Sequence, residues 1–235
     1  MKKIILSAVM LVAGTAAFAQ CDDTFAAWDV VSNSNANPDN MIEATTNNPL
    51  EGSCAMDVPL EFGGKRYVQD DMTNETSIRG SFYFDPNSVT GIPTSGTQRR
   101  VKIHNVQCAS GCAGGNIDWL QMKFLNRNSG FAVAIAAREN DGTKINNTFA
   151  LNDGCNTIEY QLVAGNPGTY KVWINNSSEG TPDFEATPNF DGMFTDRVRL
   201  GKTSVGDNVQ GTDQSITIDG YEARRQTFVA PSCAP

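Results

Sequence analysis

The chain has 235 residues, with 26 acidic and 18 basic side chains and a formal charge of −8 at pH 7. No basic tract supplies phosphate contacts, so nucleic acid is excluded as a general partner. An acidic chain also repels anions on average, which counts, with less force, against an anionic polysaccharide.

Lys2 and Lys3 precede the apolar run Ile4–Val12, and Ala17-Phe18-Ala19 forms a small-x-small cleavage site. Residues 1–19 therefore read as a signal peptide, cut after Ala19, whose apolar stretch is too short to span a bilayer. Gln20 is not small, so lipidation of Cys21 is not expected. Loss of Lys2 and Lys3 moves the formal charge from −8 to −10. The expected location is secreted or periplasmic. Residues 20–235 contain no second apolar segment of membrane-spanning length and read as a single domain with one sizeable core.

The segments that follow are short, β-rich and separated by Asn, Gly, Ser, Thr and Asp. Predicted strands are Phe25–Val31, Ser53–Leu60, Thr76–Phe84, Arg99–Val106, Trp119–Leu125, Phe131–Ala137, Thr157–Leu162, Tyr170–Ile174, Arg197–Leu200 and Ser215–Ala223. Several alternate cleanly. Phe82 and Phe84 share a face opposite Arg79, Ser81 and Tyr83. Val101 and Ile103 oppose Lys102 and His104. Leu120, Met122 and Phe124 oppose Trp119, Gln121 and Lys123. Phe131–Ala137 is apolar throughout and reads as a central strand covered on both faces. Hairpins are expected at Gly142-Thr143 and at Gly154. No long helical periodicity, internal repeat or low-complexity tract is present. Many short strands without helices mean an all-β sandwich or jelly roll.

Six cysteines in an exported chain read as disulfides. Sequence leaves the pairing open. The expectation is Cys108–Cys112 around Ala109-Ser110-Gly111, Cys21–Cys233 because chain ends often lie close together, and Cys54–Cys155 by elimination. The Cys-x-x-x-Cys spacing with a single His is a poor zinc pattern.

Pro49-Leu50-Glu51-Gly52-Ser53-Cys54-Ala55-Met56-Asp57-Val58 resembles an early strand of concanavalin A-like, laminin-G-like jelly rolls. Tyr67-Val68-Gln69-Asp70-Asp71 and Glu75–Asn87 are similar to a segment of secreted bacterial jelly-roll proteins without assigned activity. Tyr170–Asn175, Arg197–Gly201 and Ile218–Arg225 look like their late strands. The resemblance implies a concanavalin A-like β-sandwich of two antiparallel sheets, five to seven strands each, with one concave face. Such a fold hosts lectins, binding modules, hydrolases, lyases and adhesion domains, and does not choose among them.

Three functions follow. The first is non-catalytic binding of a glycan or another cell-surface component, with Tyr83, Trp119, Gln121, Tyr170 and Trp173 as ligand contacts, because aromatic faces stack on sugars and amides bond hydroxyls. The competing reading puts the tryptophans in the core. The second is a polysaccharide lyase. In such lyases one group neutralises the uronate carboxylate and another, often a Tyr, exchanges the C5 proton, and the resemblance implies Arg79, His104 and Tyr170 as the candidates. The third is a structural or adhesion subunit joined through sheet edges. A glycosidase is excluded for want of the Glu-x-Asp-x-Glu run that jelly-roll hydrolases use. No cofactor is required, although the resemblance implies a structural calcium held through Asp219.

Overall fold

A computed structural model describes residues 21, 25–33, 41–61, 63–93, 100–112, 115, 117–205, 209, 214–224, 227–228 and 233; the leader expected over residues 1–19 lies outside them. The described residues form β1 (Val30–Ser32), β2 (Glu43–Thr45), β3 (Ala55–Pro59), β4 (Arg66–Glu75), β5 (Ser77–Asp85), β6 (Arg100–Cys108) and β7 (Ile117–Arg127). They continue with β8 (Gly130–Arg138), β9 (Lys144–Ala150), β10 (Asn156–Val163), β11 (Thr169–Ile174), β12 (Phe184–Ala186), β13 (Thr195–Lys202) and β14 (Ser215–Arg224).

These build two antiparallel seven-stranded sheets, β1-β4-β13-β6-β7-β8-β9 and β12-β11-β10-β5-β14-β3-β2. The architecture is the all-β jelly-roll sandwich expected from the sequence. Alternation decides which side chains meet in the middle. Phe82 and Phe84 of β5, Ile158 and Tyr160 of β10, Met122 and Phe124 of β7 and Val133 and Ile135 of β8 fill one continuous core. Phe84 and Phe124 touch edge to face across the two sheets at 5.1 Å.

Four strands escape the sequence reading. β2 and β12 are three-residue edge strands. β4 carries Gln69, Asp70 and Asp71 where apolar residues would signal a strand. β9 is an edge strand interrupted by Asn146 and Asn147. Conversely, Phe25–Val31 shrinks to Val30–Ser32, with a turn at 25–27. Gly142-Thr143 does reverse a hairpin, β8 to β9. Gly154 does not. It lies where the chain leaves β9 in one sheet for β10 in the other.

The disulfides are Cys21–Cys54, Cys108–Cys112 and Cys155–Cys233. The expected Cys54–Cys155 pair fails on distance. Cys54 precedes β3 and Cys155 precedes β10, and these strands stand three positions apart in one sheet, about 14 Å at normal strand spacing. A disulfide tolerates Cα separations only up to about 7 Å. The expected Cys21–Cys233 pair fails because each chain end is tied separately to its own strand start. Three disulfides fit an oxidising compartment. Among the described residues, no helix is long and apolar enough to cross a membrane.

Gly80 is required by a close approach. It pairs with Tyr160 across β5 and β10, and a Cβ there would collide with the Tyr160 ring and hydroxyl. Gly80→Ala is expected to lower unfolding free energy by about 1–3 kcal/mol through overpacking. Urea denaturation checks this; unchanged stability would show that the Tyr160 ring has room to shift.

Candidate functional site

The outer faces of the two sheets differ in chemistry. On the sheet containing β5, the outer face is closed and acidic. Arg79 donates from Nε to Glu159 at 2.6 Å and from Nη1 to Glu179 at 2.8 Å. Its guanidinium lies 4.4 Å from the centre of the Trp173 ring and 4.7 Å from that of Phe228. Phe228 belongs to the C-terminal segment that Cys155–Cys233 ties back to β10. Further along, Glu43, Asp57, Thr217 and Asp85 form one cross-strand row. Burial pushes the Asp57 carboxyl up, a Ser215 hydrogen bond opposes this, and Glu43 adds to the rise.

On the other sheet the outer face is open. Strand register lines up Gln69, Arg199, Asn105, Gln121, Ala136 and Asn146 across β4, β13, β6, β7, β8 and β9. Beside them runs Lys102–Lys123–Ala134–Thr148, and on the other flank Asp71–Arg197–Gln107–Asp118. Between Gly130 and Arg138, β8 turns the alanines Ala132, Ala134 and Ala136 toward this side. These short side chains lower the floor between the longer ones. Phe131–Ala137 is therefore not covered on both faces as expected; Val133 and Ile135 face the core, while the alanines on its outward side leave a trough.

Two hollows result. One, of about 400 Å³, is lined by Arg138, Arg197, Arg199, Gln107, Asp118 and the start of the Cys108–Cys112 loop. The other, of about 300 Å³, is lined by Arg100, Lys102, Lys123, Arg138, Lys144, Gln121 and Asp118 among others. Together the linings hold seven basic side chains and one acid, Asp118. Hydrogen bonds fix the polar rows. Gln107 and Gln121 donate to the two oxygens of Asp118 at 2.6 and 2.7 Å. Arg199 donates to Gln69 at 2.8 Å and lies over the Tyr67 ring at 4.8 Å. Gln69 and Arg197 both donate to Asp71. The amides are thus oriented before any ligand arrives.

The residues singled out from sequence scatter. Gln121 lies on the open face. Trp119 is buried and meets Phe190 edge to face at 5.3 Å. Trp173 lies beneath Phe228 on the other sheet. Tyr83, expected to be exposed, is only 5 % exposed, packed where a Cβ on Gly220 would strike its ring. Tyr170 is in the core against Phe184, and burial holds its hydroxyl well above the usual phenol range.

His104 does not share a face with Lys102. The ladder shifts register between Lys102 and His104, so Lys102 pairs with outward Lys123 while His104 pairs with inward Met122. This β-bulge turns the imidazole into the interior. There His104 Nε2 lies 3.0 Å from the Tyr160 hydroxyl, among Phe82, Tyr160 and Tyr221. Arg79, His104 and Tyr170 therefore occupy an outer face, the interior and the core edge, and do not converge.

Asp219 is surrounded by donors. Its carboxylate accepts from the backbone N–H groups of Leu50, Glu51 and Gly220 at 2.7–2.9 Å. Desolvation raises its pKa while these bonds lower it. Calcium needs six to eight oxygen ligands, and an environment of N–H donors does not fit one.

The basic face itself was missed. Its signal was present: Lys102, Lys123, Arg197 and Arg199 all sit at outward positions of segments read as strands. Whole-chain charge concealed it.

No family model matches the chain, and no curated protein matches it in sequence. Solved structures share its fold. An endo-β-1,4-glucuronan lyase from Trichoderma reesei superposes with a TM-score of 0.57 at 14% identity, covering 85% of this chain and 92% of that one. An alginate lyase bound to an alginate trisaccharide gives 0.57 at 10% identity, covering 88% and 92%. The receptor-binding domain of a botulinum neurotoxin C/D mosaic gives 0.52 at 10% identity, covering 86% of this chain and 48% of that one. At these identities the likeness defines a class of fold, the jelly-roll sandwich.

Burial holds His104 at a pKa of about 3, down from 6.5, and a backbone contact with Arg199 opposes the shift. Between these values the unfolded chain binds a proton that the folded chain refuses. Stability from this group is complete above pH 6.5 and falls as pH drops toward 3. The slope reaches about 1.4 kcal/mol per pH unit. Urea unfolding between pH 7 and 5 is expected to show this decline, and His104→Gln to flatten it. Equal pH dependence in both proteins would contradict the buried neutral imidazole.

Proposed function

We propose that the chain binds a glycan, without cleaving it, on the outer face of the sheet formed by β1, β4, β13, β6, β7, β8 and β9. The observation that carries this reading is the open row of oriented amides and guanidinium groups over an alanine floor. Saccharide hydroxyls require fixed donors and acceptors, and Gln121, Gln107 and Arg199 supply them without first reorganising. The jelly-roll neighbours named for glucuronan, alginate and receptors support a carbohydrate or cell-surface partner. Non-catalytic binding is favoured over β-elimination because Arg79, His104 and Tyr170 do not converge, and His104 and Tyr170 are buried.

Titration calorimetry against oligosaccharides tests the site. Arg199→Ala is expected to weaken binding roughly fivefold, the scale of one exposed charged contact. Lys171→Ala, on the opposite sheet, should leave affinity unchanged. Prolonged incubation should yield no unsaturated sugar. Unsaturated product would replace this reading with a lyase, and equal loss from both variants would move the site elsewhere.

A further inference from the structure

The hollow of about 400 Å³ holds more positive charge than its surroundings offset. Arg138 on β8 and Arg197 and Arg199 on β13 line it together with Asp118, so three positive charges face one negative and the lining carries a net charge of +2. Among the described residues, Arg197 has one ion pair, to Asp71, and Arg138 and Arg199 have none. Asp118 does not pair with the arginines either. Its two oxygens accept from Gln107 and Gln121 at 2.6 and 2.7 Å. The bonds that hold Arg197 to Asp71 and Arg199 to Gln69 use Nε. The terminal nitrogens of both are left for a ligand. The Arg138 Nε is shielded from solvent and has no acceptor. A buried donor without an acceptor is costly, and an oxyanion lying against the guanidinium would supply one.

We infer that this hollow binds a phosphomonoester carried by the glycan, rather than a carboxylate or a sulfate ester. This rests on the glycan-binding reading above and narrows it to one chemical group at one place. Charge and shape together make the selection. A phosphomonoester carries a charge of about −1.5 to −2 at pH 7 and three terminal oxygens. The lining answers with a net +2 and three separate guanidinium groups. A carboxylate has one charge and two coplanar oxygens, for which a single arginine fork suffices. A sulfate ester has the three oxygens but only one charge. The volume of the hollow falls within the range of about 300–1,000 Å³ typical of small-ligand sites, so the sugar bearing the phosphate fits with it. From there the glycan runs over Gln121 into the second hollow, which shares Arg138 and Asp118 with the first. The net negative charge of the chain sits partly on the opposite sheet, in the row of Glu43, Asp57 and Asp85.

NMR titration of the intact protein, following the arginine Nε–H signals, tests this with glucose 6-phosphate, glucose 6-sulfate and glucuronate. At pH 7 the phosphate is expected to bind about tenfold more tightly than either monoanion, the scale of one added charge-assisted contact, and to move the Arg138 signal. Between pH 7 and 5 a phosphomonoester gives up its second charge, with a pKa of about 6, so its advantage should nearly vanish. The sulfate ester stays a monoanion throughout. It therefore controls for titration of the charged groups around the hollow, Asp71, Asp118, Arg138, Lys144, Arg197 and Arg199. Arg138→Gln and, independently, Arg199→Gln should each remove most of the phosphate preference, and Lys171→Gln on the opposite sheet should keep it. Equal affinity for the three probes, or a preference that persists in both arginine variants, would overturn this inference. Inorganic phosphate binding as tightly as glucose 6-phosphate would also overturn it, because the sugar would then contribute nothing. In each of these cases, oligosaccharide binding measured by calorimetry would leave the glycan reading itself intact.

Discussion

Two stacked sheets have four faces, and the hydrophobic effect is satisfied by closing the inner two. Everything else about this molecule follows from how the remaining pair is used. Phe82, Phe84, Tyr160, Met122, Phe124 and Val133 take the inward positions of their strands. Their neighbours along each chain must then point out. One outer face is covered again, by Phe228 and the buried Arg79–Glu159 pair. The other is left open, and the basic residues concentrate there. Packing thus leaves one outer surface open, and the proposed binding site lies there.

Burial on the covered side has a cost that the structure visibly offsets. Removing the Arg79 guanidinium from water would be prohibitive without a partner. Two carboxylates and two aromatic faces surround it. The result is a clasp that holds Trp173, not a platform offered to a sugar. A disulfide at Cys155–Cys233 limits how far the covering segment can depart. On the open sheet the same residue type, Arg199, stays half-exposed, held by its hydrogen bond to Gln69.

Much of the sandwich was legible because period-2 alternation is a direct readout of inside and outside. The faces of Phe82, Phe84, Leu120, Met122 and Phe124 follow from spacing alone. What escaped did so for definable reasons. A bulge breaks the alternation, and no residue near Ile103 marks it, so His104 was placed on the wrong side. Cysteine partners depend on which strands neighbour each other, a long-range property that local pattern does not encode. Alanine counts as apolar, yet on β8 it creates open space instead of core. Net charge averages over a surface whose two faces carry opposite signs. The candidate site was therefore readable residue by residue, at Lys102, Gln121, Lys123 and Arg199, but not as an assembly.

Covalent labelling of lysines, read by mass spectrometry with and without a saturating oligosaccharide, addresses the central point most directly. If the open face is the binding surface, Lys102, Lys123 and Lys144 become protected while Lys171, beside Glu185 on the opposite sheet, reacts as before. Protection of Lys171 with Lys102, Lys123 and Lys144 unchanged would place the ligand on the wrong side of the sandwich and contradict the assignment.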